Sequence, residues 1–314
     1  MTSPVDVVIP TRDRPDRLRG LLEDLRAQRP APRRIVIVDD SSRPVAWEAE
    51  FSDLPLRVER PADRVFISRA KNLGWRSGDS PLVAFIDDDN RLPPGLLGRL
   101  ASDLDQHPDW GAVMPGVVYR QRPGTVWVYA APFRRGGWTF DLVGRNAPRD
   151  PHLERSLLRT DALPNLSMVR RVALIAVGGF DERLPVNSSA DLCQRLKGAG
   201  WPAWADPGAL TCHDVEPPGS IGYWAEHTLH DTARYRLETA DWVRFHGRWT
   251  DSNGWFALRA SYHSLGFLIP HFLAVTVRAP AGLPRHAAAA IAGLRDGLRD
   301  RAPPPSRLGS TPAR

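Results

Sequence analysis

A run of five apolar residues, Leu82-Val83-Ala84-Phe85-Ile86, ends on three consecutive acids, Asp87-Asp88-Asp89, followed at once by Asn90. The run is β-branched and aromatic, has strand length, and is bounded by Ser80-Pro81 before and Pro93-Pro94-Gly95 after, so it reads as one short buried strand. Three carboxylates delivered to the end of a buried strand repel one another and need a compensating cation. A solvated loop is the plain alternative for an acidic triplet, and the position at a strand end favours a functional one. Hard divalent ions such as Mg²⁺ and Mn²⁺ take carboxylate oxygens and leave room for phosphate oxygens.

The same pattern recurs upstream. Val5–Ile9 reads as a strand, and Pro15–Gln28 as a helix with Leu18, Leu21, Leu22 and Leu25 on one face and Pro15 in the tolerant first turn. Ile35–Val38 reads as the next buried strand, Leu56–Val58 as a short third, Ser68–Ser77 as a helix and Leu82–Ile86 as the fourth strand. Apolar strands separated by helices predict an α/β fold with a mostly parallel sheet covered on both faces, which binds its ligand outside the strand C-termini. Three of the predicted strand ends carry polar clusters: Thr11-Arg12-Asp13, Asp39-Asp40 and Asp87-Asp88-Asp89. Beyond residue 112 the periodicity weakens. Trp, Gly and Arg dominate Tyr119–Asp150, a stretch expected to form strands and loops. A helix is expected around Asp191–Gly198, a β-like segment over Ala209–His213, and helix again from Tyr223 to His246, while the Pro-, Ser- and Gly-rich residues Arg301–Arg314 read as a disordered tail.

Charged residues make up 25% of the 314 and hydrophobic ones 42%, the balance of a globular protein long enough for about two domains. The formal net charge of +6 comes mainly from arginine, with lysine only at Lys71 and Lys197. No aromatic-studded basic groove or recognition helix accompanies it, so nucleic acid is disfavoured as a partner and a phosphorylated small substrate fits better. Met1-Thr2-Ser3-Pro4 leads into the first strand without a signal-peptide pattern, and Cys193 and Cys212 lack metal-ligand spacing, so a cytoplasmic protein with reduced thiols is expected.

Read in order, six motifs resemble family 2 glycosyltransferases of the GT-A fold: Val-Val-Ile-Pro-Thr-Arg-Asp-Arg (7–14), Val-Asp-Asp-Ser-Ser (38–42), Arg-Ala-Lys-Asn-Leu-Gly (69–74), Phe-Ile-Asp-Asp-Asp-Asn (85–90), Gly-Gly-Phe-Asp-Glu (178–182) and Asp-Leu-Cys-Gln-Arg-Leu (191–196). The likeness covers about residues 5–215. It implies a nucleotide-diphospho-sugar donor, UDP- or dTDP-linked by expectation, a divalent metal (Mn²⁺ or Mg²⁺) and inversion at the anomeric carbon. By the match, Asp87 contacts ribose and Asp89 ligates the metal, with His213 as a further metal ligand. Pro10, Thr11, Arg12 and Asp88 join the donor site. Asp39 or Asp40 can accept hydrogen bonds from base or ribose, where the bland alternative is an Asx turn. Arg69 and Asn72, spaced i and i+3, can hold diphosphate or ribose, where the alternative is surface pairing. The expected organisation is a glycosyltransferase domain over 1–222, split at 111 into donor and acceptor halves, a helical extension over 223–300 and the tail. Residues 117–165 are expected to form much of the acceptor site, for an acceptor the sequence does not name.

The pattern breaks at the base. The family carries an acidic pair just before the Asp-Leu-Cys helix, and its second member deprotonates the acceptor; here Ser188 and Ser189 stand there. A serine hydroxyl is no general base near neutral pH without an activator. Asp191 is the nearest acid and the candidate catalytic residue, although a two-residue step on a helix turns about 200°. The alternative is a degenerate relative that binds nucleotide sugar or glycan without turnover. Further on, Trp242, Phe245, Trp249, Trp255 and Phe256 precede an apolar stretch, Leu265–Val277, interrupted by Pro270 and His271. It is shorter than the ~20 residues a bilayer requires. Flanking Arg259, Arg278 and Arg285 admit peripheral membrane contact through 255–285, and packing on the catalytic domain or a homodimer interface is the favoured reading.

Overall fold

The computed structural model describes residues 2–134, 140–215, 231–250, 253–263 and 268–300. The chain divides into two compact units, one of Met1–Glu182 with Ser189–Pro217, the other of Arg183–Ser188 with Pro218–Arg314.

The sheet-bearing part runs β1 (Val5–Thr11), α1 (Pro15–Arg26), β2 (Arg34–Asp39), α2 (Trp47–Glu50), β3 (Leu56–Glu59), α3 (Ile67–Arg76), β4 (Leu82–Ile86), β5 (Asn90–Arg91), α4 (Leu96–Gln106), β6 (Ala112–Tyr119), β7 (Arg122–Val128), β8 (Leu158–Thr160), β9 (Leu166–Arg170), α5 (Arg171–Val177), α6 (Ser188–Gly198) and β10 (Ala203–His213). Among the described residues these strands form one sheet in the order β3-β2-β1-β4-β9-β6-β10-β5, with β7 on β6 and β8 on β10. β1 to β4 pair in parallel, and the apolar sequences of β1, β2 and β4 are explained by burial on both faces, while β3 is a partly exposed edge. One face packs against the leucines of α1 (Leu18, Leu21, Leu22, Leu25) and of α4 (Leu96, Leu97, Leu100, Leu104). On the other, Val36 and Val38 meet Val65 and Ala70 at and beside α3. That helix lies so close that a Cβ at Gly74 would come within 2.3 Å of Val8 Cγ1, which only glycine avoids.

The sheet is mixed rather than simply parallel. β9 runs antiparallel between β4 and β6 and joins the strands on either side of it into one sheet. The weakly periodic stretch after residue 112 contains the wholly buried β6 and the hairpin strand β7, with β6 and β10 then parallel.

The second unit holds α7 (Thr232–Arg248), α8 (Asn253–His263), α9 (Ile269–Arg278) and α10 (Leu283–Arg299). α7 and α10 approach closely, since a Cβ at Gly297 would sit 2.5 Å from Val243 Cβ. The segment Arg183–Ser188 was expected within the first domain but belongs here. The buried Asp241 carboxylate accepts the Val186 backbone N–H at 2.7 Å and the Asn187 side-chain amide at 2.5 Å, and Arg244 donates to the Arg183 carbonyl. On α9, Ile269, Leu273 and Val277 are exposed, and among the described residues no helix is long and apolar enough to cross a membrane. Of the expected elements, residues 223–230 of the helical stretch, 265–267 of the apolar stretch and the tail Arg301–Arg314 lie outside the described residues.

Candidate functional site

The parallel register of β1, β2 and β4 brings three polar strand ends to one edge of the sheet. Thr11 pairs with Asp39 in register, and Asp87 begins where β4 stops. Thr11 Oγ1 donates to Asp88 Oδ2 at 2.8 Å, fastening the end of β1 to the loop after β4. The loop then turns on an Asn90 N–H to Asp87 carbonyl bond and enters β5, which has only two residues. β5 pairs antiparallel with the end of β10, setting His213 opposite Asn90, and the Asp214 N–H donates to the Asp89 carbonyl at 2.8 Å. This short ladder places His213 Nε2 3.3 Å from Asp89 Oδ1, although the two residues lie on distant parts of the sequence. The His213 ring stands edge-on to Trp127, centroids 4.8 Å apart.

Four cationic side chains surround the acids. Arg14 Nη1 lies 3.1 Å from Asp88 Oδ1 and 3.4 Å from Asp89 Oδ2, Arg17 Nη1 3.6 Å from Asp89 Oδ2, and Lys71 Nζ 3.5 Å from Asp87 Oδ1. Arg12 pairs instead with Asp40, at 2.9 Å. Burial raises the Asp87 carboxyl above the ordinary carboxylate value against the pull of Lys71. Burial likewise lifts Asp88 to about 6, opposed by Arg14 and Thr11. Asp89 is also pushed up by burial, but His213 and the two arginines outweigh it and hold it below the ordinary value. Asp87 Oδ1 and Asp89 Oδ1 are buried without a well-formed hydrogen bond, leaving lone pairs directed into the protein. Two carboxylates and an imidazole of this kind fit a hard or borderline divalent ion, whose other positions water and phosphate oxygens would fill. Among the described residues no cluster of three such side chains closes around an ion by itself.

A cleft of about 290 Å³ opens beside the acids, lined by Pro10, Thr11, Arg12, Arg14, Asp40 and Asp87 to Asp89, with Val38, Val65, Ile67 and Ala70 as an apolar wall. A smaller cavity of about 130 Å³ shares Asp88 and Asp89 and is bounded by Arg17, Asn90, Arg91, Arg120 and Asp214. Asn165, in the left-handed backbone region at φ 72°, caps this edge: its carbonyl accepts from Asp87 N–H, while its buried amide has no hydrogen-bond partner among the described residues.

Thr11, Arg12, Asp40, Asp87, Asp88, Asp89 and His213 thus come together, with Pro10. Four other candidates do not join them. Asp39 is buried and holds the Trp47 indole N–H and the Ser41 N–H, so Asp40 is the acid that faces the cleft. Arg69 is exposed on α3 outside the cleft lining. Asn72 spends its whole amide on the protein: Nδ2 donates to the Phe180 carbonyl and Glu182, and Oδ1 accepts from Phe180 N–H and Trp75 Nε1. Its role in this geometry is to fasten the Gly178–Glu182 turn, not to present donors to a ligand. Asp191 is fully buried and paired with Arg195 Nε at 2.7 Å, and it lines neither cavity. A carboxylate so placed cannot receive an acceptor's proton without rearrangement. Arg14, Arg17 and Lys71 are site residues that the motifs did not single out, although the need to balance three acids was a signal for basic partners.

A sequence model described as glycosyl transferase family 2 matches residues 6–172, more than half of the chain. The chain belongs to this family. It is 30% identical over 213 residues to a pre-mycofactocin glycosyltransferase of Mycobacterium tuberculosis, covering 67% of this chain and 42% of that protein. It is 29% identical over 213 residues to the O-antigen biosynthesis protein RfbC of Myxococcus xanthus, covering 63% of this chain and 16% of the relative, so the chain spans less than half of either. Among solved structures, the mannosyltransferase PcManGT from Pyrobaculum calidifontis in complex with GDP-Man and Mn²⁺ superposes with TM-score 0.54 at 17% identity, over 96% of this chain and 89% of that one. S. aureus TarS 1–349 in complex with UDP-GlcNAc gives 0.53 at 16% identity, over 91% and 79%. These likenesses establish a shared GT-A architecture.

Proposed function

We propose that the chain is a glycosyltransferase that takes a nucleotide-diphospho-sugar donor in the 290 Å³ cleft and inverts the anomeric centre on transfer. The observation that carries this reading is the meeting of Asp89 and His213, built by the β5–β10 ladder, beside a cleft that Asp87 and Asp89 line. The apolar wall of Val38, Val65, Ile67 and Ala70 suits one face of a nucleobase, and Asp40 and Arg12 at its rim suit base or ribose hydroxyls and amides. Asp89 and His213 would hold a divalent ion, Mn²⁺ or Mg²⁺, which when bound neutralises charge building on the departing diphosphate. Lys71 fixes the Asp87 carboxylate from beneath, and the Thr11–Asp88 bond keeps the loop in register. The structural relatives were solved with GDP-Man and with UDP-GlcNAc, so the nucleotide is tested across bases. Calorimetry with UDP, GDP and dTDP should show binding of at least one, strengthened by Mn²⁺. Absence of binding for all three, with and without metal, would sink the donor site.

A second reading has its own observation. Ser188-Ser189 replace the acidic pair, and Asp191 is sealed by Arg195, which favours a protein that binds nucleotide sugar or glycan without transferring it. A donor and acceptor screen read by mass spectrometry separates the two: binding without any transferred or hydrolysed sugar supports the second.

A further inference from the structure

Of the cations around the acidic triplet, three are committed. Lys71 is buried, 3.5 Å from Asp87 with its ammonium over the Phe180 ring. Arg12 belongs to Asp40 and Asp13. Arg17 lies 3.6 Å from Asp89 and lines the smaller cavity. Arg14 differs. Its side chain is half exposed, it lines the larger cleft, and a single guanidinium nitrogen bridges Asp88 and Asp89. Neither acid depends on it alone, because Asp88 keeps the Thr11 hydroxyl, and Asp89 keeps Arg17 and His213 within 3.6 Å. Arg14 therefore sits on Oδ2 of the carboxylate whose Oδ1 faces His213, and when it leaves, Asp89 keeps Arg17 and Asp88 keeps the Thr11 hydroxyl.

We propose that Arg14 is a two-position residue: in the free protein it stands in for the metal on Asp88 and Asp89, and on donor binding it moves to the diphosphate. This rests on the donor-site reading above. The physics follows from charge. Three acids without an ion need counter-charges, and Arg14 supplies one from a long, solvated side chain that loses little on moving. Once a divalent ion takes Asp89, the guanidinium is repelled from the carboxylates, while the diphosphate brings new negative charge to the same cleft. A guanidinium fork matches phosphate oxygens, so the displaced side chain gains a charge-assisted pair where it formerly held a carboxylate. The arrangement makes metal and nucleotide bind together: metal alone must displace Arg14 for nothing, and metal with diphosphate gives it a new partner.

The two positions predict effects of opposite sign. Manganese binding, followed by the EPR signal of the free ion, would be measured alone and with inorganic pyrophosphate, a probe of the shared diphosphate that does not depend on the nucleotide. In Arg14→Ala, Mn²⁺ alone should bind about threefold or more tightly, because a competitor is gone, while pyrophosphate should bind Mn²⁺-loaded protein about tenfold more weakly for want of a charged hydrogen-bond partner. Arg14→Lys should keep part of the pyrophosphate affinity, as a point charge without the fork. If Arg14→Ala weakens both affinities, Arg14 is a fixed part of the scaffold and the inference falls. It falls equally if neither changes. A wild-type protein that binds neither Mn²⁺ nor pyrophosphate overturns the donor-site reading, and this inference with it, whereas a wild type that binds both confines any failure to Arg14.

Discussion

Asp89 is the acid whose removal is most informative, because two arginines and the His213 ring lie within 3.6 Å of it and one of its buried oxygens has no well-formed hydrogen bond among the described residues. Asp89→Asn should lower metal-dependent nucleotide affinity by at least about tenfold, since it removes a charged ligand, and leave the melting temperature within a few degrees of wild type. His213→Ala should cost less affinity, because water can replace a neutral ligand. Manganese titration beside thermal melts checks both, and a His213→Ala loss larger than that of Asp89→Asn would reverse the assigned weights. At this scale the sequence was informative on position: the acidic motif put Asp87 to Asp89 at a strand end, and the family resemblance set His213 beside Asp89. It was silent on Arg14 and Lys71. Both lie inside quoted motifs, but only the folded chain shows which of its many arginines turns toward the acids.

Asn72 shows how an element can be read correctly and its face misjudged. The 3.6-residue period put Arg69 and Asn72 on one helix, and α3 is there, but a three-residue step still leaves the two side chains about 60° apart. That angle sends Arg69 to solvent and Asn72 into four hydrogen bonds beneath the Gly178–Glu182 turn. Asn72→Ala should therefore destabilise the fold by about 2–4 kcal/mol, the effect of stranding several buried donors and acceptors. Nucleotide affinity of the folded protein should stay within about threefold of wild type. Urea unfolding and nucleotide titration on one preparation decide it, and a selective loss of nucleotide affinity at unchanged stability would return Asn72 to the donor site. Other elements were illegible for physical reasons. β5 is two residues long, too short for any periodicity, yet it delivers His213. The direction of β9 is not written in its apolar pattern, which serves a buried parallel or antiparallel strand equally well.

For the molecule as a whole, the α/β half was legible because buried strands and amphipathic helices have unmistakable periods, while the exchange of Arg183–Ser188 into the helical unit depends on Asp241, a single buried acid that no pattern flags. Such acids also govern how stability responds to pH. Burial raises Asp103 on α4 to about 7, with Asp206 on β10 beside it adding like charge, and burial raises Asp241 to about 7 in the other unit. A carboxyl that titrates near 7 when folded and near 3.8 when unfolded binds its proton more tightly in the native state. Its stabilising contribution is complete below about pH 4, falls away as pH rises toward 7, and is constant above that. Asp206 is already held by Arg99 at 2.6 Å and 2.9 Å; a neutral Asp103 beside it adds no charge, and an ionised one opposes it. For Asp103, whose side chain is partly solvated, the loss should be on the order of 1–2 kcal/mol between about pH 4 and about pH 7. Asp103→Asn removes the titrating group and stays neutral at every pH, so its stability should vary less across that window than wild type, as read by urea unfolding at matched ionic strength. An equally steep pH dependence in the variant would place the titration elsewhere, with Asp241 as the next group to replace.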